Sequence, residues 1–226
     1  MGMLLADCGN TRVKLARPGE SAVAVAPAEL AAAVADCERV VAVGLHAATH
    51  AALAEAAGER LQTLGRELAL PQLGQYASCG HDRVCAGIGA VARGGPAVVI
   101  DAGTATTVTA WREQAGRAIF AGGLILPGAQ ACADGLAAAA PALPQVQPAP
   151  GIALQHETPG AIAAALGIGY PAMVQACVAG VVAESGITRM VATGGAWELA
   201  GAMLRVSYEP DLVLSGLAAW VAELGL

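Results

Sequence analysis

Apolar positions along the chain gather into short runs that end on acidic or small residues, and the runs form two series. MLLA (3–6) closes on Asp7, and VKLA (13–16) follows a polar break. This predicts a buried strand over 3–7, a returning partner over 11–17 and a weakly alternating third strand over 21–25. The Ala-rich stretch 27–37 predicts a helix with Pro27 in its first turn. Residues 39–44 read as a strand ending on Gly44, 46–57 as a helix stopped by Gly58, and 60–65 as a further strand. Residues 71–79 show no period and read as a loop. A helix is expected over 82–93, ending at Gly94-Gly95-Pro96.

At that point the series restarts. AVVI (97–100) predicts a strand, 104–111 its returning partner, and 118–126 one or two more. Pro127-Gly128 opens a helix to about residue 140, and the proline-rich stretch 141–159 reads as an irregular connector. A long helix follows, with Thr158 as its N-cap and Pro159 at its first position. A strand over 190–192, a turn over 193–195, a helix over 196–204 and a last helix from Pro210-Asp211 to near Gly225 complete the reading. Each half thus opens with a strand, a D-x-G phrase and a returning strand. Asp7-Cys8-Gly9 and Asp101-Ala102-Gly103 stand 94 positions apart (101 minus 7). The repeat predicts two similar α/β domains, 1–95 and 96–226.

Composition narrows the picture. Hydrophobic residues make up 56% of the 226 and aromatics only 3%, so the core must be aliphatic, with close backbone approaches at some of the 29 glycines. A net charge of −6 and the lack of a basic run argue against nucleic acid as a partner. Apolar runs such as 160–174 read as shorter than the ~20 residues a spanning helix needs, so no membrane partner is expected. The first apolar run reaches Asp7 too soon for a signal peptide, and a soluble cytoplasmic protein is expected. The six cysteines form no CxxC pair and read as reduced, mostly buried thiols. His46 and His50 are spaced for one helix face, but no third ligand lies nearby, so they read as ordinary helix surface.

Three sites carry candidate chemistry. A D-x-G turn between paired strands lets a phosphate approach glycine backbone, with turn N–H groups and nearby Thr or Asn side chains as donors. The aspartate offers a hard oxygen to Mg2+, usually through water. One such turn would be read as a plain β-hairpin; two, each after an apolar strand, favour nucleotide phosphates held from both sides. Lys14 could neutralise a phosphate, although an isolated edge lysine is usually only solvated. In Gly80-His81-Asp82-Arg83, Asp82 could be a helix cap or the base of a phosphoryl transfer, and Arg83 could bind a carboxylate or phosphate. From spacing alone the cap is favoured.

Taken together, DCGNTRVK (7–14), GHDR (80–83), DAGTATT (101–107), GGLILPG (122–128), Thr158, TGG (193–195) and PDLVLSGL (210–217) resemble the type III pantothenate kinases over nearly the whole chain. That family belongs to the acetate kinase, sugar kinase, Hsp70 and actin superfamily. The resemblance implies two ribonuclease H-like domains with an interdomain cleft, and transfer of the γ-phosphate of ATP to the 4′-hydroxyl of pantothenate, the first step of coenzyme A synthesis. It implies that Asp7, Cys8, Gly9, Asn10, Thr11, Arg12, Val13 and Lys14 form the first phosphate loop, with Asp7 near Mg2+ and Thr104 in the second loop. Asp82 would be the catalytic base. Tyr76, Gly80, His81, Asp82, Arg83 and Thr158 would contact pantothenate, and Asp101 would hold a monovalent cation, K+ or NH4+. A homodimer is implied as well. With the resemblance, the catalytic reading of Asp82 overtakes the cap. The alternatives are a kinase for another small hydroxy compound and a non-catalytic, nucleotide-binding regulatory protein that activates transcription.

Overall fold

A computed structural model describes residues 2–44 and 46–226. Among the described residues, ten strands form two five-stranded sheets of matching order. In the first, β1 (Gly2–Cys8) is central. It pairs antiparallel with β2 (Val13–Ala16), which pairs antiparallel with β3 (Val23–Val25). On its other side β1 runs parallel to β4 (Cys37–Val43), and β4 parallel to β5 (Leu61–Thr63). The order is therefore β3-β2-β1-β4-β5.

The second sheet repeats this with β6 (Ala97–Ala102) at the centre. β7 (Ala105–Gln114) and then β8 (Arg117–Pro127) lie on one side. On the other side lie β9 (Met190–Thr193), parallel to β6, and then β10 (Ser207–Tyr208), parallel to β9. The D-x-G echo is thus the visible part of a repeat of whole sheets.

The chain divides into two compact units. The first comprises Met1–Pro96, Trp111–Phe120 and Asp211–Leu226, and the second Ala97–Ala110 and Ala121–Pro210. In the first unit, α1 (Leu30–Ala33) and α2 (Ala47–Ala57) pack on one face of the sheet, where Leu4, Ala6, Val13, Leu15, Leu30, Val40 and Leu53 are buried together. The residues of β1 and β2 in this core fall on alternate positions, as a pleat requires, and Leu5 is buried on the opposite face. Two further helices, α3 (His81–Gly94) and α7 (Leu212–Glu223), run in close contact with each other. A side chain at Gly216 would collide with the carbonyl oxygen of Cys85, so this crossing depends on bare backbone.

In the second unit, α4 (Ala129–Ala139), α5 (Thr158–Ser185) and α6 (Trp197–Ala200) accompany the sheet. Val98, Ile100, Val108, Leu126, Tyr170, Val174 and Val178 form its core. Helix α5 corrects one expectation. The charge-free run extends from 158 to 183, and the 28-residue helix is long and apolar enough to cross a membrane by length and composition. Its stripe of Tyr170, Val174, Val178 and Val181 is buried in the core of the unit.

Smaller corrections have local causes. The helix expected over 27–37 shrinks to a 3-10 turn and the four residues of α1, and a turn over 34–36 leads into β4. The helix expected over 196–204 keeps only Trp197–Ala200. The N-cap of α5 is Glu157, and Thr158 is its first helical residue. His50 is buried, with Nε2 bonded to Thr63 Oγ1 at 3.0 Å, so it is not the surface residue expected.

Candidate functional site

The first D-x-G turn spans the four residues 9 to 12 between β1 and β2. Within it the Gly9 N–H donates to the Arg12 carbonyl at 3.1 Å and to the Asp7 carbonyl at 3.2 Å. Gly9, Asn10, Thr11 and Arg12 are exposed, whereas Cys8 and Val13 on either side are buried. Asp7 and Lys14 are directly paired across the two strands, so their side chains leave the same face of the sheet. Val13 and Leu15 point the other way, into the core. The turn therefore offers exposed amides and hydroxyls, with one carboxylate and one ammonium at its base. Burial, reinforced by the Asp7 carboxylate, pushes the Cys8 thiol up to about 12, so it stays protonated and takes no part as a thiolate.

Sequence reasoning missed the residue that braces this turn. Thr49 on α2 is buried and donates its hydroxyl to the Gly9 carbonyl at 2.7 Å. The pairing spans 40 positions, and no local pattern announces it.

Helix α3 places the second cluster, in the same unit. Gly80 is its N-cap, and Asp82 lies in the first turn rather than at the cap position. The Asp82 carboxylate folds back, with Oδ1 accepting from the Arg83 N–H at 2.8 Å. A Cβ on residue 80 would collide with that same oxygen, which gives the glycine of the GHDR stretch a steric reason. His81 is fixed from behind: its Nδ1 donates to the Leu64 carbonyl at 2.9 Å.

The Arg83 side chain extends to Tyr76. Nη1 donates to the Tyr76 hydroxyl at 2.8 Å, and the guanidinium carbon lies 5.5 Å from the ring centroid. Arg83 is only 8% exposed, and among the described residues no carboxylate reaches ion-pairing distance of it. A buried guanidinium with a neutral partner is costly to maintain. A guanidinium so placed suits an anionic ligand.

The second unit holds the other D-x-G turn and Thr158. Only Gly103 and Thr104 separate β6 from β7, so this turn is two residues long. Gly103 N–H donates to the Ala105 carbonyl at 3.1 Å, and the exposed Thr104 accepts from the Gly128 N–H at 2.9 Å through its own carbonyl. Asp101 pairs in register with Thr193, and Gly194, at φ +94°, lies so close that a Cβ there would sit 2.5 Å from Asp101 Oδ1. The TGG stretch is thus the wall beside the Asp101 carboxylate. Thr158 lies apart from it in this unit, lining an open depression of about 540 Å³ with Leu136, Gln155 and Ile162.

No cluster of three His, Cys, Asp or Glu side chains occurs among the described residues. Mg2+ keeps most of its water and phosphate ligands and leans on one or two carboxylates. Asp7, beside an exposed turn, is a donor of that kind. All six cysteines are free.

The pattern of the type III pantothenate kinases matches residues 25–180. The chain belongs to this family. Curated type III pantothenate kinases from Phenylobacterium zucineum and Thermosynechococcus vestitus are each 36% identical to it, over 67% and 64% of the chain. These matches span 60% and 56% of the two relatives, so the chain covers little more than half their length.

Among solved structures, two similar folds cover 98% of this chain. A protein described as a Baf family transcriptional activator from Campylobacter jejuni has a TM-score of 0.65 at 17% identity over 98% of its own length. One described as a 2-dehydro-3-deoxygalactonokinase from Sinorhizobium meliloti has 0.59 at 16% over 96%. At such identities they speak for the fold alone, a mixed α/β arrangement.

Proposed function

We propose that this chain is an ATP-dependent pantothenate kinase that phosphorylates the 4′-hydroxyl of pantothenate, the first step of coenzyme A synthesis. Family membership supports the reaction class. The observation that carries the substrate is the buried Arg83 guanidinium, held against Tyr76 beside Asp82 and lacking a carboxylate partner among the described residues. Pantothenate brings a carboxylate that meets this demand and a hydroxyl for the base.

In this reading Asp82 accepts the proton of the 4′-hydroxyl as its oxygen attacks the γ-phosphorus. The bond to the β,γ-bridging oxygen breaks, and ADP leaves with that electron pair. The turn from Asp7 to Lys14, including Cys8, Gly9, Asn10, Thr11, Arg12 and Val13, supplies backbone amides and the Lys14 charge to phosphate oxygens, and Thr104 adds a contact from its own turn. Mg2+, bound by the nucleotide and Asp7, would neutralise phosphate charge. Asp101 would hold K+ or NH4+. Arg83, Tyr76, Gly80, His81 and Thr158 orient pantothenate. The enzyme acts as a homodimer in the cytoplasm.

Calorimetric titration of pantothenate and of its alcohol analogue, which lacks the carboxylate, tests the substrate assignment. Arg83→Gln should weaken pantothenate about 10- to 100-fold, the worth of a charged hydrogen bond, and leave the analogue unchanged. Equal losses for both ligands would remove the carboxylate assignment.

A further inference from the structure

The substrate loop is held by a residue that lies far from it in sequence. Tyr76 sits on the irregular stretch between β5 and α3 and is 47% exposed. Its ring meets Phe120 edge to face, with centroids 5.8 Å apart at 71°. Phe120 meets Trp111 in the same manner, at 5.1 Å and 66°. Trp111 is fully buried, and its indole occupies the space that a side chain on Gly87 of α3 would need. In a chain with 3% aromatic residues and one phenylalanine, three rings stand in a row at this place.

A backbone bond reinforces the row. The Phe120 N–H donates to the Leu73 carbonyl at 2.7 Å. Gln75 ties the loop internally, accepting from the Leu73 N–H at 2.7 Å and donating to the Pro71 carbonyl at 2.6 Å. Trp111 to Phe120, the tip of the β7–β8 hairpin, belongs to the same unit as Tyr76 and Arg83.

We propose that Phe120 is a positioning residue for substrate binding: it fixes the Tyr76 ring, and the ring fixes the Arg83 guanidinium. An exposed tyrosine on a loop would otherwise sample several rotamers, and ordering it on each binding event costs affinity. Edge-to-face contact on Phe120 removes that freedom beforehand. Arg83, bonded to the hydroxyl and stacked on the ring, inherits the fixed position. The inference rests on the pantothenate kinase reading for its kinetic consequence, but not for its structural one.

The test compares Phe120→Ala and Phe120→Tyr with the unchanged protein by steady-state kinetics and by hydrogen exchange of residues 71–79. Phe120→Ala should raise the KM for pantothenate about 10-fold, the scale of a lost aromatic pair. The KM for ATP and kcat should stay within about twofold, and exchange should speed up in 71–79 but not in β1 or β4. Phe120→Tyr keeps the ring and should restore both readouts. An unchanged pantothenate KM with unchanged exchange overturns the proposal, as does an equal loss toward both substrates. If Phe120→Ala does not fold, Phe120→Leu, which keeps the volume but not the ring edge, takes its place under the same criteria. If the unchanged protein leaves pantothenate unphosphorylated, the kinase reading fails, and the exchange measurement still decides whether Phe120 holds the loop.

Discussion

The Thr49 hydroxyl donates to the Gly9 carbonyl at 2.7 Å, joining helix α2 to the turn that follows β1. Thr49→Val removes the donor, keeps the volume and leaves the carbonyl without that partner. The bond is part-buried, and such a bond contributes about 0.5–1.5 kcal/mol. The variant should have a lower melting temperature, and its KM for ATP should rise while that for pantothenate holds. Kinetics with each substrate varied in turn check this; an unchanged ATP KM would detach Thr49 from the phosphate turn.

Asp82 is the proposed base, and it lies in the first turn of α3 with its oxygen tucked over Gly80. Asp82→Asn keeps the shape and loses the proton acceptor, so kcat should fall by about 10²–10⁴ while ATP still binds. Single-turnover kinetics combined with nucleotide titration separate the two effects. Near-normal turnover would return Asp82 to the role of a helix-start residue.

His50 gives the fold a pH dependence. Burial, with a smaller contribution from Arg66, holds its imidazole below the ordinary value of 6.5. The neutral form is therefore favoured in the folded state, and the unfolded chain takes up a proton first as pH falls. Stability from this group is complete above about pH 6.5 and declines as pH drops through that value toward the lower folded one. Thermal melts from about pH 7.5 to about pH 5.5 should show a decline that is shallower in His50→Gln. Parallel slopes would clear His50 of the effect.

Asp101, walled by Gly194, is the proposed monovalent-cation ligand. Activity should rise when K+ or NH4+ replaces Na+ at constant ionic strength, and Asp101→Asn should abolish the difference. Equal rates in Na+ and K+ would remove the cation from this site.

Much of this was legible in the sequence where a local pattern decides the structure. Apolar runs ending on Asp7 and Asp101 marked the two central strands, and the echo between them announced a repeat that extends to the order of whole sheets. The turns after them differ in length, four residues against two, because Asn10-Thr11-Arg12 stands where the second copy has only Thr104 before its next strand.

What stayed hidden depends on distant partners. Ser207-Tyr208 is a strand only because β9 lies beside it. Nothing in LVLSGLAAW shows that α7 packs on α3, or that Gly216 makes room for Cys85. Thr49 and Phe120 acquire their roles from Gly9 and Tyr76, 40 and 44 positions away (49 minus 9, 120 minus 76), so no window along the chain contains either pair.

Coupled detection of ADP from the purified protein with ATP, Mg2+ and K+, with and without pantothenate, decides whether this chain is a pantothenate kinase. ADP release should require pantothenate and equal the phosphorylated product formed, with the product carrying its phosphate on the 4′-oxygen. ADP release that ignores pantothenate, or none with it present, would rule the kinase out.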